Sequence, residues 1–107
     1  MMPKGVYEMT EPLRRVVTIA NPQGLHIRPA AAFAELAQRF EAKVTVSREG
    51  QSVDGKFWPD LLLLAAEQGT ELILEVEGPD APDALEALAD QLAAVFEESS
   101  PTAPPTA

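Results

Sequence analysis

The apolar residues of this chain change their period several times, and that succession limits the possible fold more than any other feature. Arg15 to Ala20 (RVVTIA) is rich in β-branched residues and runs into Asn21-Pro22-Gln23-Gly24, a cluster of turn formers. Beyond it, Ala30, Phe33, Leu36, Ala37 and Phe40 fall at i, i+3, i+6, i+7 and i+10, one stripe of a helix. Pro29 fits the first turn of that helix, where its missing N–H leaves no bond unmade. Lys43 to Glu49 returns to a period of two, with Val44 and Val46 on one face. After Gly50 the alternation resumes briefly at Gln51 to Val53, before the turn pair Asp54-Gly55. Asp60 to Ala66 is a short apolar run with a glycine stop at Gly69, which suits a helix. Glu71 to Glu77 (ELILEVE) alternates cleanly, with Leu72, Leu74 and Val76 on one side. From Pro82 to Phe96, residues Leu85, Leu88, Leu92 and Val95 recur at helical spacing, and Asp80 and Asp83 sit where a helix N-terminus favours negative charge.

The order is therefore β-α-β-β-α-β-α. Strands with one apolar face need cover on that face alone. The expected class is α+β: a two-layer open-faced sandwich whose four-stranded, mostly antiparallel sheet carries its helices on one face. The folded domain is assigned to residues 14–97. Residues 1–13 are expected to be a flexible N-terminal segment and residues 98–107 a disordered tail of Pro, Ser, Thr and Ala. Such compositions bury too little apolar surface to offset the entropy of ordering them.

Composition removes several function classes. The net charge of −9 makes the chain a poor ligand for nucleic acid or an anionic membrane, whose phosphates would repel it. The absence of cysteine excludes disulfides, thiolate catalysis and cysteine zinc sites, and a single histidine excludes a multi-histidine metal centre, so no metal and no cofactor is expected. The longest apolar run, Leu61 to Ala66, is too short to span a bilayer. The N-terminus lacks the apolar stretch of a signal peptide, so the default location is the cytoplasm.

One segment carries reactive chemistry: Asn21 to Ala30, NPQGLHIRPA, between a strand end and a helix start. The first N–H groups of a helix have no internal partners, and with the helix dipole they form an anion site. The same positive end disfavours imidazolium and favours the neutral ring of His26, whose nitrogen lone pair is nucleophilic. Arg28 can offer a planar fork of donors to phosphate oxygens. Gly24 allows a sharp turn. A histidine that accepts a phosphoryl group beside a cradle formed by Gly24, Ile27 and Arg28 is one reading. A histidine that merely caps its helix, with Arg28 a solvated side chain, is the other.

GLHIRPA at 24–30 closely resembles the phosphorylation-site motif of the HPr family, the histidine-containing phosphocarriers of the bacterial sugar phosphotransferase system. The resemblance spans roughly residues 15–97 and includes Val53-Asp54-Gly55-Lys56, the Leu61–Ala66 segment, Gln68-Gly69-Thr70-Glu71 and the Ala- and acid-rich last helix. It implies a shuttle rather than a stand-alone enzyme. Enzyme I would charge His26 with phosphate from phosphoenolpyruvate, at the pros ring nitrogen, with Arg28 contacting the phosphoryl group. A IIA-type domain would then take it. The resemblance further implies partner docking on the face around His26 and the second helix, where Phe57, Trp58 and Leu61 are candidates. No homo-oligomer is implied.

Four departures from the family pattern stand out. Ile27 is bulky and apolar where a small or polar residue is usual. Phe57 occupies the position of the regulatory serine found in many members, and neither Ser47 nor Ser52, both in strands, inherits that role. Trp58-Pro59-Asp60 also differs from the usual pattern, and Phe57 and Trp58 either pack beneath the short helix or form an apolar docking patch beside His26. Glu35, Gln38 and Asp60 stand where basic residues are common, leaving Arg28, Arg39 and Lys56 as the nearby positive charges. Complementary charge sets encounter rate and partner choice. The alternative reading is therefore a regulatory, nitrogen-type paralogue that passes phosphate to regulators, or a module that acts by contact.

Overall fold

The computed structural model describes residues 11–94. Residues 1–10 and 98–107 of the two terminal segments, and Val95, Phe96 and Glu97 at the end of the assigned domain, lie outside the described residues. The elements are β1 (Leu13–Thr18), α1 (Ile27–Ala37), β2 (Lys43–Arg48), β3 (Gln51–Asp54), α2 (Trp58–Leu62), β4 (Glu71–Glu77) and α3 (Ala81–Ala93). This is the βαββαβα order that the periodicity implies. The strands form one antiparallel sheet in the order β1-β4-β2-β3, with the helices on one face.

The register explains the one-sidedness. Leu72, Leu74 and Val76 of β4 oppose Val17, Arg15 and Leu13 of β1, and on its other edge Leu74 and Val76 oppose Val46 and Val44 of β2. The buried apolar residues of the strands thus share one face, Val53 extends it across β3 opposite Val46, and Val16 and Ile73 pair on the other face. Phe33 of α1, Leu61 of α2 and Leu88 of α3 are fully buried in the core beneath that face. Each such side chain contributes roughly 2–3 kcal/mol by its removal from water.

Three boundaries differ from the sequence expectation. β1 begins at Leu13, inside the segment assigned to the loose N-terminus, because Leu13 pairs with Val76 at the end of a six-residue ladder. The second helix is Trp58–Leu62 rather than Asp60–Ala66. It starts earlier because Pro59 lies in its first turn, where proline is pre-organised. It stops earlier because the chain tightens through i→i+3 bonds at Leu63, Leu64 and Ala65 and then turns left-handed at Ala65, with φ of 49°. The last helix starts at Ala81, one residue before Pro82.

Asp80 joins two ends of the molecule. Its carboxylate accepts the backbone N–H groups of Glu41 (2.8 Å) and Ala42 (2.9 Å), at the entry to β2. Gly78 makes the approach possible: a Cβ there would lie 2.7 Å from Ala42 Cα. Replacing Asp80 by Ala leaves both donors without their acceptor and is expected to cost about 2 kcal/mol. For a domain of this size that lowers the thermal midpoint by about 10 °C, measurable by calorimetry, with the far-UV spectrum retained below the transition.

Candidate functional site

The turn after β1 is built by Asn21, which is buried. Its backbone carbonyl accepts the Gly24 N–H at 2.8 Å, and its side-chain Nδ2 donates to the Gly24 carbonyl at 2.9 Å. Gly24 adopts φ of 75° and lies so close to the segment after α2 that a Cβ would sit 2.5 Å from the Ala66 carbonyl oxygen. The next residue uses that closeness: the Leu25 N–H donates to the Ala66 carbonyl at 2.8 Å. His26 follows in the N-cap position of α1, with extended backbone.

The helix therefore begins one residue after the histidine. Its first bond runs from the Ala30 N–H to the His26 carbonyl, 2.9 Å. Pro29 has no N–H to offer, so Ile27 and Arg28 supply the first-turn N–H groups that have no acceptor within the helix. No acidic side chain stands in that turn. The capping interpretation of His26 fails in one respect: the residue occupies the N-cap, but its side chain makes no capping hydrogen bond. The ring is half-buried, with Nε2 buried. Arg28 is exposed beside it.

The structure sorts the candidate cradle residues. Ile27 and Arg28 contribute helix-mouth N–H groups. Gly24 does not, because its N–H is committed to the Asn21 carbonyl; its role is conformational. Among the described residues no cluster of three or more His, Asp or Glu is placed to hold a metal ion. No helix there is long and apolar enough to cross a membrane.

The candidate docking residues separate as well. Leu61 is fully buried in the core, so it offers no surface to a partner; Leu62 next to it also packs against the core. Phe57 and Trp58 are 53% and 40% exposed, which excludes packing beneath the helix as their sole role. Leu63 at 61% and Ile27 at 57% are the other large apolar residues exposed on these two helices and their ends. Lys56 Nζ donates to the Phe40 carbonyl at 2.7 Å, and Gln38 Nε2 donates to the Lys56 carbonyl at 2.9 Å. The entry to α2 thus sits by the C-terminal end of α1, and the segment after α2 sits by its N-terminal end. Phe57 follows Lys56 by the C-terminal end of α1, whereas His26 precedes its N-terminal end. One departure from the family pattern acquires a structural role here: Gln38 donates to the Lys56 carbonyl, and Lys56 in turn donates to that of Phe40, so Lys56 is not a spare surface charge. Ser47 and Ser52 do lie in strands, their hydroxyls 2.8 Å apart across the β2–β3 ladder.

The chain is thus a two-layer α+β domain that holds its one histidine at the mouth of a helix. The sequence profile described as "PTS HPr component phosphorylation site" matches residues 13–94. The chain is 41% identical over 86 residues to the phosphocarrier protein HPr of Cupriavidus necator, covering 80% of this chain and 97% of that one. It is 42% identical over 83 residues to the phosphocarrier protein HPr of Pseudomonas aeruginosa, covering 77% and 92%. The crystal structure of a phosphocarrier protein HPr from Bacillus anthracis superposes with a TM-score of 0.73 at 34% identity, over 76% of this chain and 96% of that chain. The chain belongs to the HPr family, the phosphocarrier proteins of the phosphotransferase system.

Substituting Ala for Gly24 is expected to destabilise the domain by about 2 kcal/mol or more. It combines a left-handed backbone at a residue with Cβ with a clash against the Ala66 carbonyl. Urea denaturation of the variant reads the loss.

Proposed function

We propose that this protein is a cytoplasmic phosphoryl shuttle that accepts phosphate on His26 from enzyme I and delivers it to a IIA-type domain. The observation that carries the reading is the placement of His26 in the N-cap, immediately before Ile27 and Arg28, whose N–H groups have no acceptor in the helix. A phosphoryl group on this ring meets donors that need an acceptor and a dipole that favours its charge. The burial of Nε2 supports Nδ1, the pros nitrogen, as the accepting atom, because a donor protein must approach the accepting nitrogen from solvent.

The step balances simply. The Nδ1 lone pair attacks the phosphorus carried by the donor. A new N–P bond forms as the bond from phosphorus to the donor breaks, and the donor keeps that electron pair. Arg28 follows the transferring oxygens with its guanidinium. The protein completes no net reaction by itself; the second transfer returns His26 to its starting state.

Docking is proposed on the surface bracketed by Ile27 at one end and Phe57 with Trp58 at the other, with Leu63 between. Glu35 and Asp60 on the same two helices favour partners that present positive charge there, and opposite charge speeds encounter.

With phosphoenolpyruvate, magnesium and enzyme I, the wild type is expected to gain one phosphoryl group by intact mass at neutral or alkaline pH, and to lose it in acid as phosphohistidine does. His26→Ala is expected to gain none. Arg28→Ala is expected to be charged about tenfold more slowly, the loss of one charge-assisted contact. Phosphate on His26→Ala would overturn the assignment.

A further inference from the structure

The inward positions of β2 are Val44, Val46 and Arg48. The first two are buried in the core. The third is a guanidinium on the same face, at the end of the strand opposite Gln51. A charge on the helix side of a sheet needs partners, since desolvation without them is costly. Arg48 finds them in the segment after α2: its Nη1 donates to the carbonyls of Leu64 (2.8 Å) and Ala65 (2.9 Å). Ala65 is the non-glycine residue that turns left-handed there. A residue in that conformation persists only where its surroundings hold it.

The next carbonyl along the chain, that of Ala66, accepts the Leu25 N–H immediately before His26. On the far side the same segment is joined to the end of β1, through Gly69 N–H to the Ile19 carbonyl (2.8 Å) and Ile19 N–H to the Thr70 carbonyl (2.9 Å). Between Leu64 and Thr70 the segment is thus tied at both ends. One tie is backbone pairing. The other is the Arg48 guanidinium.

We propose that Arg48 is a positioning residue for phosphoryl transfer: by holding the Leu64 and Ala65 carbonyls it fixes the Ala66 carbonyl that pins Leu25, and so sets His26 relative to the Ile27 and Arg28 N–H groups. It rests on the phosphoacceptor reading of His26 and adds a residue that touches neither the phosphate nor the partner. Transfer is sensitive to such placement because a reacting nitrogen displaced by a fraction of a bond length loses rate steeply.

The test compares wild type, Arg48→Met, which keeps the apolar stem, and Arg48→Lys, which restores a donor. Two readouts are taken well below the unfolding transition: amide hydrogen exchange of Leu25 against Leu74 in the uncharged protein, and the rate of charging by enzyme I at varied carrier concentration. In Arg48→Met the Leu25 amide is expected to exchange about tenfold faster while Leu74 is unchanged. The maximal charging rate is expected to fall about tenfold with apparent KM altered less than about twofold. Arg48→Lys is expected to recover most of both effects, and it carries the comparison with smaller effects if Arg48→Met does not fold. Parallel acceleration at Leu25 and Leu74, or faster Leu25 exchange with an unaltered charging rate, would make Arg48 a structural residue only and overturn the proposal. Should enzyme I fail to charge the wild type, the phosphoacceptor reading falls, and the transfer role of Arg48 falls with it. The exchange comparison then still reports whether the guanidinium holds the loop.

Discussion

A central strand paired on both edges must put alternate side chains on opposite faces, and in β4 only one of those sets is wholly apolar. Leu72, Leu74 and Val76 are buried on one face; Glu71, Ile73, Glu75 and Glu77 lie on the other, where Ile73 pairs with Val16 of β1. With β1 and β2 in antiparallel register on either side, the whole sheet inherits that asymmetry. Every helix must then lie on the same face, and each strand–helix connection must rise over an end of the sheet. The connection from β1 to α1 is one of these. It brings the positive mouth of α1 to the rim of the domain and places His26 there.

What makes that rim a site rather than a loop is the closeness of two backbones. Gly24 and Leu25 lie against Ala66, and the Leu25–Ala66 hydrogen bond joins the histidine turn to the segment after the second helix. Asn21 closes the turn from within, satisfying both polar groups of Gly24's backbone. The first helical turn, in which Pro29 has no N–H, leaves Ile27 and Arg28 as donors without an acceptor in the helix, and these are the groups proposed to meet an external anion. The −9 net charge of the chain is thus compatible with anion chemistry, because the field that matters is local and comes from oriented amides. The wider charge distribution acts on encounter with partners instead.

Much of this was legible in the sequence. Strand faces could be read because a period of two leaves little ambiguity, as in ELILEVE, and the element order followed from it. The segment proposed as phosphoacceptor could be singled out because its parts, Asn21 to Ala30, are adjacent in the chain. The short helix was not. Five residues give too little period to tell Leu61, which is buried, from Leu63, which is exposed, and the left-handed turn at Ala65 carries no glycine to mark it. The anchoring of the site was also hidden. Arg48 reaches carbonyls 16 and 17 residues away, and backbone acceptors leave no trace in side-chain pattern. One signal was present: a charged residue at the third inward position after Val44 and Val46. Such a residue has to find partners on the helix side, and the sequence does not say which.

The account turns on which ring atom meets the donor. Isotope-edited NMR of the charged protein, with nitrogen-labelled histidine, resolves the phosphorus–nitrogen coupling at the single histidine. A phosphoryl group on Nδ1 of His26 is the expected result, since Nε2 is buried. Phosphate on Nε2, or on any residue other than His26, would contradict the description of the site.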